Sequence, residues 1–171
     1  MFAIIKLIQS LFGALHSEGT PGQLALGIVL GSFLGLTPLL NIHNAVIFAA
    51  LVLLNVSFAG GLLGWALFVP IGFLLDPLFD WIGHSLLLAP SLRGLWTSLY
   101  NTPIVPLTNF NNTVVLGSLV FAVVFAVPLF FATRLGVVRY RATIGERVRQ
   151  SKWYRAVMAS KVYNVYKLFR P

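Results

Sequence analysis

Apolar residues in this chain run in solid blocks, and Gly, Pro and small polar clusters set the breaks between them. Residues 2–15 put Phe2, Ile5, Ile8, Phe12 and Leu15 near one helical face and Lys6, Gln9, Ser10 and Gly13 towards another. That segment is shorter than the roughly 20 residues a spanning helix needs, so an amphipathic helix in the membrane interface is expected. Thr20-Pro21 offers a cap and a first helical residue for the next element. Residues 21–37 then form a short apolar helix that Thr37-Pro38 ends, because a residue before Pro avoids the helical region. A polar island, Asn41-Ile42-His43-Asn44, precedes an apolar run over 45–59. Gly60-Gly61 interrupts the pattern, and a third run covers 62–75 with Pro70 inside it. These runs are short for spans. They read either as short, bent spans or, for residues 21–59, as a re-entrant hairpin. From Asp76 to Leu88 the pattern is an amphipathic helix. Pro90, Pro103 and Pro106 punctuate a loop rich in Trp, Tyr, Asn and Thr, and residues 113–133 form the clearest span, with Pro128 near its end.

The fold class that follows is an all-α integral membrane protein. It has about four short or bent membrane-embedded helices and amphipathic interfacial helices at both ends. Composition supports it: 58% of the 171 residues are hydrophobic and 9% charged, too few charges to cover a water-soluble surface of this size. Mean hydropathy is +0.88. Solid apolar runs argue against an outer-membrane barrel, and zero cysteines exclude a disulfide framework.

Charge is segregated. Ten of the twelve basic residues lie between Arg134 and Arg170, while residues 19–75 and 94–133 hold no Asp, Glu, Lys or Arg. The chain therefore divides into a membrane-embedded helical domain, 1–133, and a basic amphipathic tail, 134–171. Basic residues just past a span stay on the cytoplasmic side, so the C-terminus is expected there. In the tail Tyr154, Met158, Val162, Val165 and Phe169 form one stripe, with Lys152 and Arg155 off it. Cations beside a span meet anionic lipid headgroups first, so Arg139, Arg141, Lys152 and Arg155 are expected headgroup contacts and no nucleic-acid partner is expected. No small-x-small cleavage site follows the first apolar stretch, and the N-terminus is expected to be retained on the cytoplasmic side.

Few groups could carry chemistry. Gly27, Gly31 and Gly35 recur every fourth residue and give one face on which another helix can approach closely, within the chain or from a second one. Asp76, Asp80 and His84 recur likewise, and such a face could relay protons or hold a cation. Equally, Asp76 before Pro77 reads as a helix cap, with Asp80 in the first turns and His84 bonded to it. Arg93 could neutralise Asp80, hold a lipid phosphate or anchor the chain at the interface. No metal-ligand spacing, nucleophile elbow or phosphate loop is present, so no cofactor, no metal and no enzyme activity are expected.

The pattern Gly27-x3-Gly31-x3-Gly35-Leu36-x-Pro38, the Asn/His turn, the apolar run through Asn55 and Gly64-Trp65-x4-Pro70 together resemble a widespread bacterial family. Its members are small inner-membrane proteins known only as a domain of unknown function. The likeness covers about residues 20–90. Asp76-Pro77-x2-Asp80-Trp81-x-Gly83 and Asn111-Asn112-Thr113-x3-Gly117-Ser118 resemble a subgroup often encoded beside a larger envelope protein. The family's Asn-Pro pair after its last apolar run is replaced here by Val69-Pro70 and Asp76-Pro77. What the resemblance implies is a multi-pass protein of the bacterial inner membrane with a larger envelope partner, and it brings no catalytic residues. The expected function is a non-catalytic subunit or anchor of an envelope assembly, with lipid transport the suggested setting. The alternative is a small homo-oligomeric transporter or channel using the Asp76/Asp80/His84 face.

Overall fold

The computed structural model describes residues 19–143. They form five α-helices: α1 (Pro21–Leu36), α2 (Ile42–Leu53), α3 (Phe58–Leu87), α4 (Arg93–Tyr100) and α5 (Thr113–Thr143). Single turns of 3-10 helix lie at Pro90–Leu92 and Val105–Thr108. No strand occurs among the described residues. Two helices, α3 and α5, are long and apolar enough to cross a membrane, and α1 and α2 are shorter apolar helices. The interfacial helix expected over 2–15 and the tail stripe from Tyr154 onward lie outside the described residues.

α1 starts where the sequence says it should. The Thr20 hydroxyl accepts from the Gln23 N–H at 3.2 Å, and Gln23 Oε1 accepts from the Thr20 N–H at 2.8 Å. This reciprocal pair satisfies two of the donors that a helix start leaves free, with Pro21 as the first helical residue. At the other end Thr37 turns to extended backbone (φ −104°, ψ 150°) ahead of Pro38.

α1 and α3 run parallel. Gly27 sits against Ser57 and Gly61, Gly31 against Gly61 and Trp65, and Gly35 against Phe68. A Cβ on Gly31 would overlap the Gly61 carbonyl oxygen, so the two backbones touch with nothing between them. Two parallel neighbours need a return connection, and α2 supplies it. It comes back from the tip at residues 37–41 to the level where α1 began. There the Ser57 N–H donates to the Gln23 carbonyl at 3.1 Å and Gln23 Nε2 donates to Asn55 Oδ1 at 2.9 Å. α1 and α2 thus make a hairpin whose base is closed by Gln23.

α5 runs antiparallel to both. Gly83 of α3 meets Thr113, and Gly117 of α5 meets Phe79. One buried cluster joins Leu24, Ile28, Leu63 and Val137 near the hairpin base. A second, around Leu36, Phe79 and Ala122, includes Phe121, whose ring centroid lies 5.3 Å from that of Phe79.

Three sequence expectations change. The break between the second and third apolar runs falls at residues 54–57, ahead of Gly60-Gly61. Ser57 caps α3 by accepting from the Gly60 N–H at 3.1 Å, and both glycines sit inside the first turns because Leu24 and Leu51 press on them. Asp76 does not cap a new helix: α3 is continuous from Phe58 to Leu87 through Pro70 and Pro77. Proline removes a backbone bond, but packing on α1 and α5 on either side of these positions keeps the helix one piece. Lastly, α5 passes through Arg134 and continues to Thr143, so the first part of the basic tail prolongs this helix.

The glycine contacts predict an asymmetric outcome. Gly31→Ala is expected to destabilise the protein by about 1–3 kcal/mol or more, through forced separation of two backbones. Gly94→Ala, where a Cβ meets nothing within 4 Å in α4, should be neutral or stabilising by up to ~1 kcal/mol. Thermal unfolding of both variants in detergent distinguishes them.

Candidate functional site

Three features stand out: an apolar cleft, a polar tip and an acid-bearing pocket. The cleft lies between α2 and the α1–α3 pair. Its volume is about 670 Å³, and its apolar wall includes Leu34, Phe48, Leu51, Phe58, Leu62 and Trp65. It exists because α2 barely packs: of its twelve residues only Asn44 and Leu51 are buried. The glycine face of α1 is already spent on α3, so α2 finds no close groove and stands off. Val46, Phe48, Val52 and Leu53 are all more than half exposed.

Polar groups gather at the tip. Buried Asn44 donates through Nδ2 to the Pro38 carbonyl at 2.8 Å, and its Oδ1 lies 2.9 Å from the Thr37 hydroxyl. Asn41 donates to the same carbonyl at 2.8 Å and accepts from Asn109 at 2.7 Å, across 68 residues of chain. Asn109 can reach because it adopts the left-handed conformation (φ 56°) that ends the 3-10 turn. Asn41 and Asn44 also line the cleft, so its polar groups sit at one end. Both ring nitrogens of His43 are buried without a hydrogen-bond partner.

The acidic face separates into different environments. Asp76 lines a cavity of about 230 Å³ with the C-terminal end of α1, Gly72 and Val114. Asp80 accepts from the Thr113 hydroxyl of α5. His84, one turn on, is exposed. Among the described residues no three of His, Cys, Asp and Glu come close enough to hold a metal ion. Arg93 begins α4 and is exposed; the pairing with Asp80 is not formed. Its neighbour Trp96 instead ties α4 down, donating to the Leu86 carbonyl at 2.9 Å and stacking on Phe110. Arg139 is exposed on α5, while Arg141 donates to the Gly19 carbonyl at 2.9 Å. Lys152 and Arg155 lie outside the described residues. Gly27, Gly31 and Gly35 are all buried against α3, which leaves that stripe no room for a second chain.

Sequence reasoning had no access to the cleft, since it depends on the angle at which α2 returns. The Asn41–Asn109 bridge was equally hidden. Its only trace was that both residues lie in Asn-containing breaks between apolar runs.

The arrangement defines an all-helical protein built on two helices long and apolar enough to cross a membrane, with a lateral apolar cleft. The chain belongs to the bacterial family described as "Uncharacterized protein conserved in bacteria (DUF2062)", which matches residues 7–144. That match takes in residues 20–90, which carry the first of the quoted motifs, and the Asn111–Ser118 motif beyond them. A protein of Treponema pallidum (strain Nichols), described as "Uncharacterized protein", is 28% identical over 151 residues, covering 86% of this chain and 91% of its own length. No solved structure matches the chain.

The tip predicts its own test. Asn44→Leu keeps the branched shape but adds volume at a buried site and removes Asn44's hydrogen bonds, leaving the Pro38 carbonyl to Asn41 and the Thr37 hydroxyl to the Phe33 carbonyl. A loss of about 1–3 kcal/mol, from the lost bonds and the overpacking together, is expected in thermal unfolding. Asn111→Ala, on the exposed loop nearby, should stay within about 0.5 kcal/mol of the parent.

Proposed function

We propose that this protein is a non-catalytic, multi-pass component of the bacterial cytoplasmic membrane that holds the acyl chain of a lipid in the cleft beside α2, as a subunit of a larger envelope assembly. The single observation that carries the reading is the cleft. Its 670 Å³ falls inside the ordinary range for ligand pockets, about 300–1,000 Å³. A second helix of 12 residues would need a cylinder about 18 Å long and 10 Å across, roughly twice that volume. An extended acyl chain is thinner and enters from the side. The polar groups at one end suit the glycerol and ester groups of a lipid.

Dimensions support the membrane seat. From Ser57 to Asp76 α3 rises about 28 Å, and from Thr113 to Arg134 α5 rises about 32 Å, against a hydrocarbon core near 30 Å. Arg134, Arg139 and Arg141 follow the span at one end of the bundle, beside the hairpin base, which orients that end to the cytoplasm. The α1–α2 hairpin then enters and leaves on the cytoplasmic side, and the loop over 88–112 faces outward. The larger partner is an expectation from the family resemblance.

The chain has no cysteine, so single introduced sites report topology cleanly. Asn101→Cys should react with an impermeant thiol reagent applied from outside intact inner-membrane spheroplasts, and Thr143→Cys only after permeabilisation; the reverse pattern overturns the orientation. Function is tested by gentle purification into nanodiscs with mass spectrometry of proteins and lipids. A stoichiometric larger protein and a retained lipid are expected, and Ala45→Trp, which fills the cleft, should lower the retained lipid several-fold. Recovery of the protein alone as a defined oligomer, with equal lipid in both forms, overturns the reading and favours the homo-oligomeric transporter.

A further inference from the structure

α1 ends against α3 in a way that leaves backbone oxygens unclaimed. Pro38 has no N–H to offer the Leu34 carbonyl, and the extended backbone at Thr37 carries the next two N–H groups away. No hydrogen bond reaches the carbonyls of Leu34, Gly35 or Leu36, although all three residues are buried. The Gly35 oxygen faces Gly72, where a Cβ would stand 2.6 Å from it. One helical turn beyond Gly72, on the same face of α3, is Asp76. It lines the cavity of about 230 Å³ together with Leu34, Gly35 and Leu36.

We propose that this cavity binds a monovalent metal cation, sodium, between the Asp76 carboxylate and the free carbonyls at the end of α1. The argument is electrostatic. A helix C-terminus carries roughly half a negative charge on its unbonded carbonyls. An acid set beside it adds to the same sign, and no ion pair among the described residues offsets either. The described basic residues other than Arg93 sit at the far end of α5, and Arg93 is exposed on α4. A cation relieves both partners at once. The donors are all oxygens, which selects a hard ion. They include one acid, because Asp80 is engaged with Thr113, and a single full charge suits a monovalent ion better than calcium. The ends of interrupted helices are where membrane proteins coordinate sodium through backbone carbonyls. The inference stands on this pocket and does not depend on what fills the cleft.

The test uses the full-length protein in a non-ionic detergent, with NaCl exchanged for choline chloride at constant total salt. Tm should climb with sodium by roughly 3–5 °C per tenfold once past half-saturation. Asp76→Asn should abolish the climb, and Asp80→Asn should keep it. Equal Tm in sodium and choline, or an undiminished response in Asp76→Asn, overturns the proposal. So does a response to KCl with none to NaCl. Should Asp76→Asn fail to fold, calorimetric titration of the unsubstituted protein with NaCl decides: a saturable single-site heat supports the site, and its absence overturns it.

Discussion

The close approach of α1 to α3 is the constraint from which most of the structure follows. In a bilayer, where lipid tails are as apolar as the side chains, pairing two apolar helices brings no hydrophobic gain, and contact there must come from dispersion between well-fitted surfaces. Glycine provides that fit on both partners: Gly27, Gly31 and Gly35 from one side, Gly60, Gly64 and Gly72 from the other. Once α1 is pressed onto the first half of α3, its glycine face is consumed. α2, which has no comparable face, can only arch over the pair. The cleft is thus a by-product of tight packing elsewhere. The same register sets the end of α1 against Gly72, and so decides which residue of α3 meets the free carbonyls.

Polar groups follow a complementary logic. In an apolar body each unpaired hydrogen-bonding group costs several kcal/mol in the extreme. The described polar side chains accordingly concentrate at the two ends of the bundle and largely satisfy one another. Gln23, Asn55 and Ser57 close one end, and Thr37, Asn41, Asn44 and Asn109 knit the other. All of these are neutral, so the ends are tied without ion pairs that would have to be desolvated.

Much of this was legible in the residues. Thr20-Pro21 and Thr37-Pro38 bounded α1 correctly, because caps and proline act locally. The fourfold glycine spacing named a packing face, though not its partner. Where reading failed, tertiary packing overrode local chemistry. Gly60-Gly61 and Asp76-Pro77 both look like breaks, yet α3, packed on α1 and α5, is one continuous helix through both. The acidic face was visible as a spacing. That its members would part, one to a cavity and one to a threonine, depended on how far α5 overlaps α3. The loop over 88–112 concealed α4, whose pinning by Trp96 to the Leu86 carbonyl is a contact across ten residues that periodicity cannot reveal.

α2 is fastened at both ends and slack between them. Its base is tied through Asn55 and Ser57 to Gln23, and its tip through Asn44 and Asn41, while its middle touches little. Mechanically it is a strap. Of its residues only Asn44, held at the tip, and Leu51, packed against Gly61, are buried, so the wall over the cleft rests on its two ends and one side chain. A strap of this kind fixes where the space beneath it lies through its fastenings, and leaves most of its own apolar surface turned away from the bundle.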